Sequence, residues 1–98
     1  MKQHEIKKLI SDLGYEDVLL FENPSYDTAF VGISEDFKAV YDYDLMVEHL
    51  MSEDGMDRDE AVEFIDYNTI RSLPYYGNHP IIFTKIENLQ WHKTNKHY

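Results

Sequence analysis

Cysteine is absent from this chain, which excludes disulfides and thiolate metal sites. Basic residues are scarce as well. Nine Lys and Arg stand against 19 Asp and Glu, a formal net charge of −10 over 98 residues. A surface of that sign argues against direct DNA or RNA binding, because nucleic-acid binders carry the opposite charge. No apolar run is long enough to span a membrane, and the charged N-terminus is not a signal peptide. A cytoplasmic protein is expected. The length fits one domain. Such a chain buries roughly 60–70% of its unfolded surface, enough for one core without staples.

What is present is acid, and it is concentrated. Residues 35–66 hold Glu35, Asp36, Asp42, Asp44, Glu48, Glu53, Asp54, Asp57, Asp59, Glu60, Glu63 and Asp66 against Lys38 and Arg58, so 2 − 12 = −10. The other 66 residues hold 7 acids and 7 bases and balance. A basic protein surface, or a cation, is the natural complement of such a field. A solvated face that only keeps the protein soluble is the alternative.

The organising stretch is Tyr41 to Arg71, a strand end feeding two helices. Leu45, Met46, Leu50 and Met51, with Val47, recur at helical spacing, and Asp42 or Asp44 can cap them. Gly55 stops that helix. Asp57 and Glu60 have capping-box spacing and start the next. Its inner stripe is Ala61, Val62, Ile65 and Thr69, widened by Phe64 and Ile70, and it ends before Pro74. Asn68 is placed on or near that stripe, and Arg71 at the helix end.

Upstream, Lys2 to Leu13 is an amphipathic helix with Ile6, Leu9, Ile10 and Leu13 inward and Gly14 as terminator. Asp17 to Glu22 reads as a short buried strand, and Asn23-Pro24-Ser25 as a turn. Thr28 to Ser34 and Phe37 to Tyr43 form a hairpin around Glu35-Asp36. In its second strand Phe37, Ala39, Tyr41 and Tyr43 take one side, and Lys38, Val40 and Asp42 the other. Ile81 to Ile86 is the last strand. Residues 1–88 make the domain, and 89–98 a polar tail with Trp91, His92, Lys93, Lys96 and His97, expected to be partly disordered. The order α-β-β-β-α-α-β predicts an α+β fold, a mostly antiparallel sheet covered by helices.

Three constellations invite chemistry. Asp27, Asp36 and Lys38 in this element order resemble magnesium nucleases, where two acids hold the metal and a lysine assists the water. Asp36 falls at a predicted turn tip, and the acidic field opposes a nucleic-acid substrate. A calcium loop around Gly55 fails on spacing, because Leu50 and Ser52 take two ligand positions. His49 and Glu53 lie one turn apart and His79 sits in an aromatic loop, without a partnered nucleophile. Neither a catalytic residue, a cofactor nor a metal is therefore assigned. Among eight tyrosines, Tyr41, Tyr43, Tyr67, Tyr75 and Tyr76 gather near the acidic stretch, and the last two lie on a loop suited to contact.

The run YDYDLMVEHLMSEDGMDRDEAVEFIDYNTIRSLPYYG, with GYEDV and PIIF around it, resembles a group of small acidic proteins encoded in bacterial genomes and phage-like elements, mostly of Firmicutes. In size and charge the chain is similar to phage anti-defence proteins such as anti-CRISPRs. The resemblance carries no catalytic residue over. It implies a binding module, an inhibitor whose acids replace phosphates in the nucleic-acid channel of a basic partner such as a CRISPR effector nuclease. The expected contact residues are Asp42, Asp44, Asp57, Asp59, Glu60, Glu63 and Asp66, with Tyr75 and Tyr76 as anchors. A magnesium nuclease, or a homodimer with tyrosines at its interface, is the alternative.

Overall fold

The strand at the centre of the molecule is Ala39–Asp42 (β2), and it runs into a helix with no intervening loop. Asp42 closes β2 and caps that helix. Its carboxylate accepts from the backbone N–H of Asp44 at 2.9 Å and of Leu45 at 3.4 Å. The computed structural model describes residues 1–89. In chain order they form α1 (Gln3–Asp12), β1 (Phe30–Ile33), β2, α2 (Tyr43–Glu53), α3 (Arg58–Phe64), a π-helical turn (Ile65–Ile70) and β3 (Ile81–Phe83). Short 3₁₀ turns cover Asp27–Ala29, Leu73–Tyr75 and Ile86–Asn88.

The molecule is α+β, as the sequence predicts. β1 and β2 pair antiparallel across the Ser34–Lys38 turn, with an irregularity between Phe30 and Gly32. β3 lies on the other side of β2 and parallel to it, with Val40 opposite Ile81 and Asp42 opposite Phe83. A parallel neighbour needs a crossover rather than a tight turn. The α2–α3 pair is that crossover.

Local signals set most boundaries. The Asp57–Glu60 capping box forms, with Glu60 N–H donating to Asp57 Oδ1 at 2.8 Å and Asp57 N–H to Glu60 Oε1 at 3.2 Å. Gly55 takes φ 68° between α2 and α3, a conformation that costs glycine little. One core unites the elements. It includes Ile6 and Ile10 of α1, Tyr41 of β2, Tyr43, Met46, Val47 and Leu50 of α2, Ala61 of α3 and Ile65 of the π turn.

Several sequence readings are corrected. Asp17 to Glu22 is not a strand. Val18 and Leu20 are buried, but the Phe21 N–H donates to the Tyr41 hydroxyl at 3.2 Å instead of to a neighbouring strand. An apolar run reports burial, not pairing. The order is therefore α-β-β-α-α-β, and the remaining strands are shorter than expected. Leu9 and Leu13 do not enter the core. Leu13 is 62% exposed, and both line an open apolar groove against Tyr15, Phe30 and Phe37. Asn68 is exposed, off the inner stripe, because the π turn shifts the helix phase before it. The predicted tail, apart from Leu89, lies outside the described residues.

Candidate functional site

The acids separate into two populations. Asp42 is only 1% exposed, with its carboxylate on the helix cap and Lys85 Nζ 3.9 Å away. Asp44 and Asp66 are half-buried. Asp44 accepts from Asn88 Nδ2 at 2.9 Å and faces Arg58 at 3.8 Å, and Asp66 accepts from the Tyr43 hydroxyl at 3.2 Å. These three brace α2 and α3. Asp42 in particular cannot belong to an outer contact surface, contrary to the sequence expectation.

The second population faces solvent. Glu48, Glu53, Asp54, Asp57, Asp59, Glu60 and Glu63 are all exposed along α2, the connecting loop and α3. The single base of that stretch, Arg58, lies against Asp44. On the hairpin tip, Lys38 sits 3.8 Å from Asp36. The Ser34 hydroxyl donates to Asp36 and holds its carboxyl below the ordinary range, with Lys38 adding to the effect.

The tyrosines divide in the same way. Tyr26, Tyr41 and Tyr43 are core residues. Burial pushes both the Tyr26 and the Tyr41 hydroxyl up to about 12. Tyr75 is 88% exposed, Tyr76 is at the surface, and Tyr67 is exposed with the Arg71 guanidinium 4.4 Å above its ring.

Between these groups lies a cleft that sequence reasoning missed, of about 400 Å³. Leu19 to Pro24 form one wall. Phe64, Asn68, Thr69 and Ser72 form the other, and Tyr76 and Pro80 complete it. At its base the Tyr26 and Thr69 hydroxyls share a 2.7 Å hydrogen bond. Tyr26 holds φ 49°, in the left-handed region that a bulky residue seldom adopts, and the surrounding core fixes it there. The π turn supplies the cleft wall, a backbone form that recurs at functional sites. A second hollow, lined by Met56, Glu60, Glu63, Phe64, Tyr67 and Asn68, shares Phe64 and Asn68 with the cleft. The acidic face of α3 thus borders an apolar recess. No residue-level pattern marks the π turn or the Tyr26 backbone, so neither could have been found from spacing.

The alternative chemistry is not assembled. Asp27 accepts from the Gln3 N–H and lies 3.6 Å from His49, while Asp36 closes on its own hairpin with Ser34 and Lys38. The nuclease acids thus hold separate partners. Among the described residues no group of three or more His, Asp or Glu is placed to hold a metal ion. Thr28, His49 and Asp27 come together, with Thr28 Oγ1 2.8 Å from His49 Nδ1. Both partners meet the same ring nitrogen. A relay needs the acid on one nitrogen and the nucleophile on the other, so the cluster ties α2 to the Asp27–Ala29 turn. The His49 ring also packs at a tilt against Tyr26, and its neighbour along the helix, Glu53, is exposed to solvent. His79 Nδ1 donates to the Pro80 carbonyl. No helix among the described residues is long and apolar enough to cross a membrane. No family model, curated protein or solved structure matches the chain.

Proposed function

We propose that this protein is a small acidic binding module that blocks the basic nucleic-acid-binding surface of a nuclease or related protein. It would be an inhibitor of the phage anti-defence kind, such as an anti-CRISPR. The observation that carries the reading is the run of exposed carboxylates from Glu48 to Glu63, with its one cation, Arg58, held against Asp44. Carboxylates at i, i+3 and i+4 on a helix stand about 5–6 Å apart. They offer a partner's Arg and Lys side chains acceptors in place of phosphates. The cleft beside α3 supplies the apolar half of the contact, with Tyr76 at its wall and Tyr75 exposed nearby in sequence. Tyrosines at such a border serve as anchors, and the charge steers encounter and sets partner choice.

The test is a tagged pull-down from lysate of a phage-bearing or CRISPR-bearing host, eluted on a salt ladder. It compares the wild type with a variant carrying Asp59→Lys, Glu60→Lys and Glu63→Lys. The expected result is one basic nucleic-acid-binding protein, released by moderate salt and lost with the variant. Equal capture by both proteins would overturn the reading.

A further inference from the structure

We infer that two copies of this chain associate through the groove between α1 and the β1–β2 hairpin, with their α1 helices antiparallel across a two-fold axis. Three observations carry this. The first is a connected apolar patch. Leu9 and Leu13 stand at i, i+4 on α1, and Phe37 stands on the hairpin loop. All three are exposed, and all three line one open groove. Of the residues lining that groove only Glu35 is charged. Single surface leucines are ordinary, but a connected patch marks a contact. The second is the backbone of Phe37. Its N–H donates to the Ser34 carbonyl at 3.0 Å, and it then takes φ 63°. Glycine is the usual occupant of that left-handed position in a hairpin loop. Here the place is taken by a phenylalanine that is 55% exposed. Its carbonyl accepts from Asn78 Nδ2 at 3.1 Å, and its ring meets that of Tyr15 at 5.6 Å between centroids. Backbone strain that presents an aromatic side chain to solvent points to use of that side chain.

The third observation is charge, and it selects a second copy as the occupant. Lys8 and Asp12 flank the Leu9–Leu13 stripe, both exposed and 2.9 Å apart. Lysine ahead of the acid is the weaker order for such a pair. Asp12 also closes α1 with no base in its last turn, and Glu16 and Asp17 follow, so acids meet the negative end of the helix dipole. Stability of the single copy does not account for this arrangement. An antiparallel copy does: the Lys8 end of one helix lies beside the Asp12 end of the other, and the two dipoles oppose. A parallel copy would set like charge beside like. The patch thus holds ridge and recess, and both signs of charge, as an isologous contact requires. Each copy carries −10, so copies meet where carboxylates are few. The patch is small, and the association is weak, in the micromolar range. At a few times the dissociation constant it slows opening of α1 only a few-fold.

Sedimentation equilibrium of the full chain, run from micromolar to millimolar concentration, is the test. The wild type is expected to pass from monomer to dimer. Leu13→Lys should stay monomeric with its circular dichroism unchanged, because Leu13 lies outside the core. Phe37→Gly should weaken the dimer by about tenfold or more, while melting close to the wild type, because glycine takes the left-handed position freely. Two further variants read the orientation. Lys8→Glu alone and Asp12→Lys alone should each stay monomeric, and a mixture of the two should dimerise. A wild type that is monomeric at millimolar concentration would overturn the inference and leave the groove to a different protein. So would a dimer that survives Leu13→Lys, or a mixture of the charge variants that fails to associate. The acidic face of α2 and α3 takes no part in this contact, so the outcome does not depend on the pull-down.

Discussion

Asp42 and Glu63 are both acids of one charged stretch, and they do opposite things. Asp42 is inside, holding the first turn of α2, while Glu63 is outside on α3. The sequence assigns both to one contact surface because charge is visible in a sequence and depth is not. The same holds for the tyrosines, of which Tyr26 and Tyr41 are buried and Tyr75 is almost wholly exposed. The buried pair has a measurable signature. Their hydroxyls are raised to about 12 by burial, above the ordinary value of 10.0. A folded pKa above the unfolded one favours the protonated form in the fold. That stability is fully present below pH 10 and is lost as pH rises from about 10 to about 12. Each hydroxyl contributes on the order of 2 kcal/mol to that loss. Absorbance titration of tyrosinate should show at least two late groups that ionise together with unfolding. Independent ionisation of all eight tyrosines near pH 10, with the fold intact, would contradict this.

At the scale of elements, what was legible was local. The capping box of Asp57 and Glu60, the stop at Gly14 and the break at Gly55 each depend on residues within a turn of one another, and all three stand in the structure. What was illegible depended on distant residues. At the end of the apolar run of Val18 and Leu20, the Phe21 N–H is answered by Tyr41, a side chain twenty positions away. Thr69 is buried, as the inner stripe predicts, but the π turn that carries it and its bond to Tyr26, 43 positions away, are announced by no helical pattern. One element also carries a feature that stability alone would not favour. α2 ends on Glu53, followed by Asp54, with no base in its last turn, so carboxylates meet the negative end of the helix dipole. Glu53→Lys should raise stability by about 0.5 kcal/mol in urea denaturation and weaken capture of the proposed basic partner. A variant less stable than the wild type would show that Glu53 has a structural partner.

For the whole molecule, the sheet order decides how firmly each part is held. Among the described residues β2 alone has a strand on both sides, and α2 continues from it into the core. α1 contributes only Ile6 and Ile10 as buried residues and leaves Leu9 and Leu13 on the surface. Opening α1 therefore exposes little apolar area, whereas opening β2 dismantles the core. Hydrogen exchange followed by NMR should give Tyr41, Val47 and Leu50 amides one common slow rate, that of global unfolding. Amides in the middle of α1 should exchange many times faster. Equal rates in α1 and β2 would mean that the α1 contact is as strong as the sheet. The same layout gives the helix after Asp57 two separate audiences. Glu60 and Glu63, ahead of the π turn, line the hollow on the acidic side, while Thr69 and Ser72, within and after it, line the cleft, and Asn68 borders both. The wide turn is what keeps the two in phase. Removing one residue between Ile65 and Ile70 would rotate everything downstream by about 100°, turning Thr69 away from Tyr26. For this helix the hazardous mutational step is a change of length rather than of letter, and the protein's descendants can exchange side chains along it far more freely than they can gain or lose a residue.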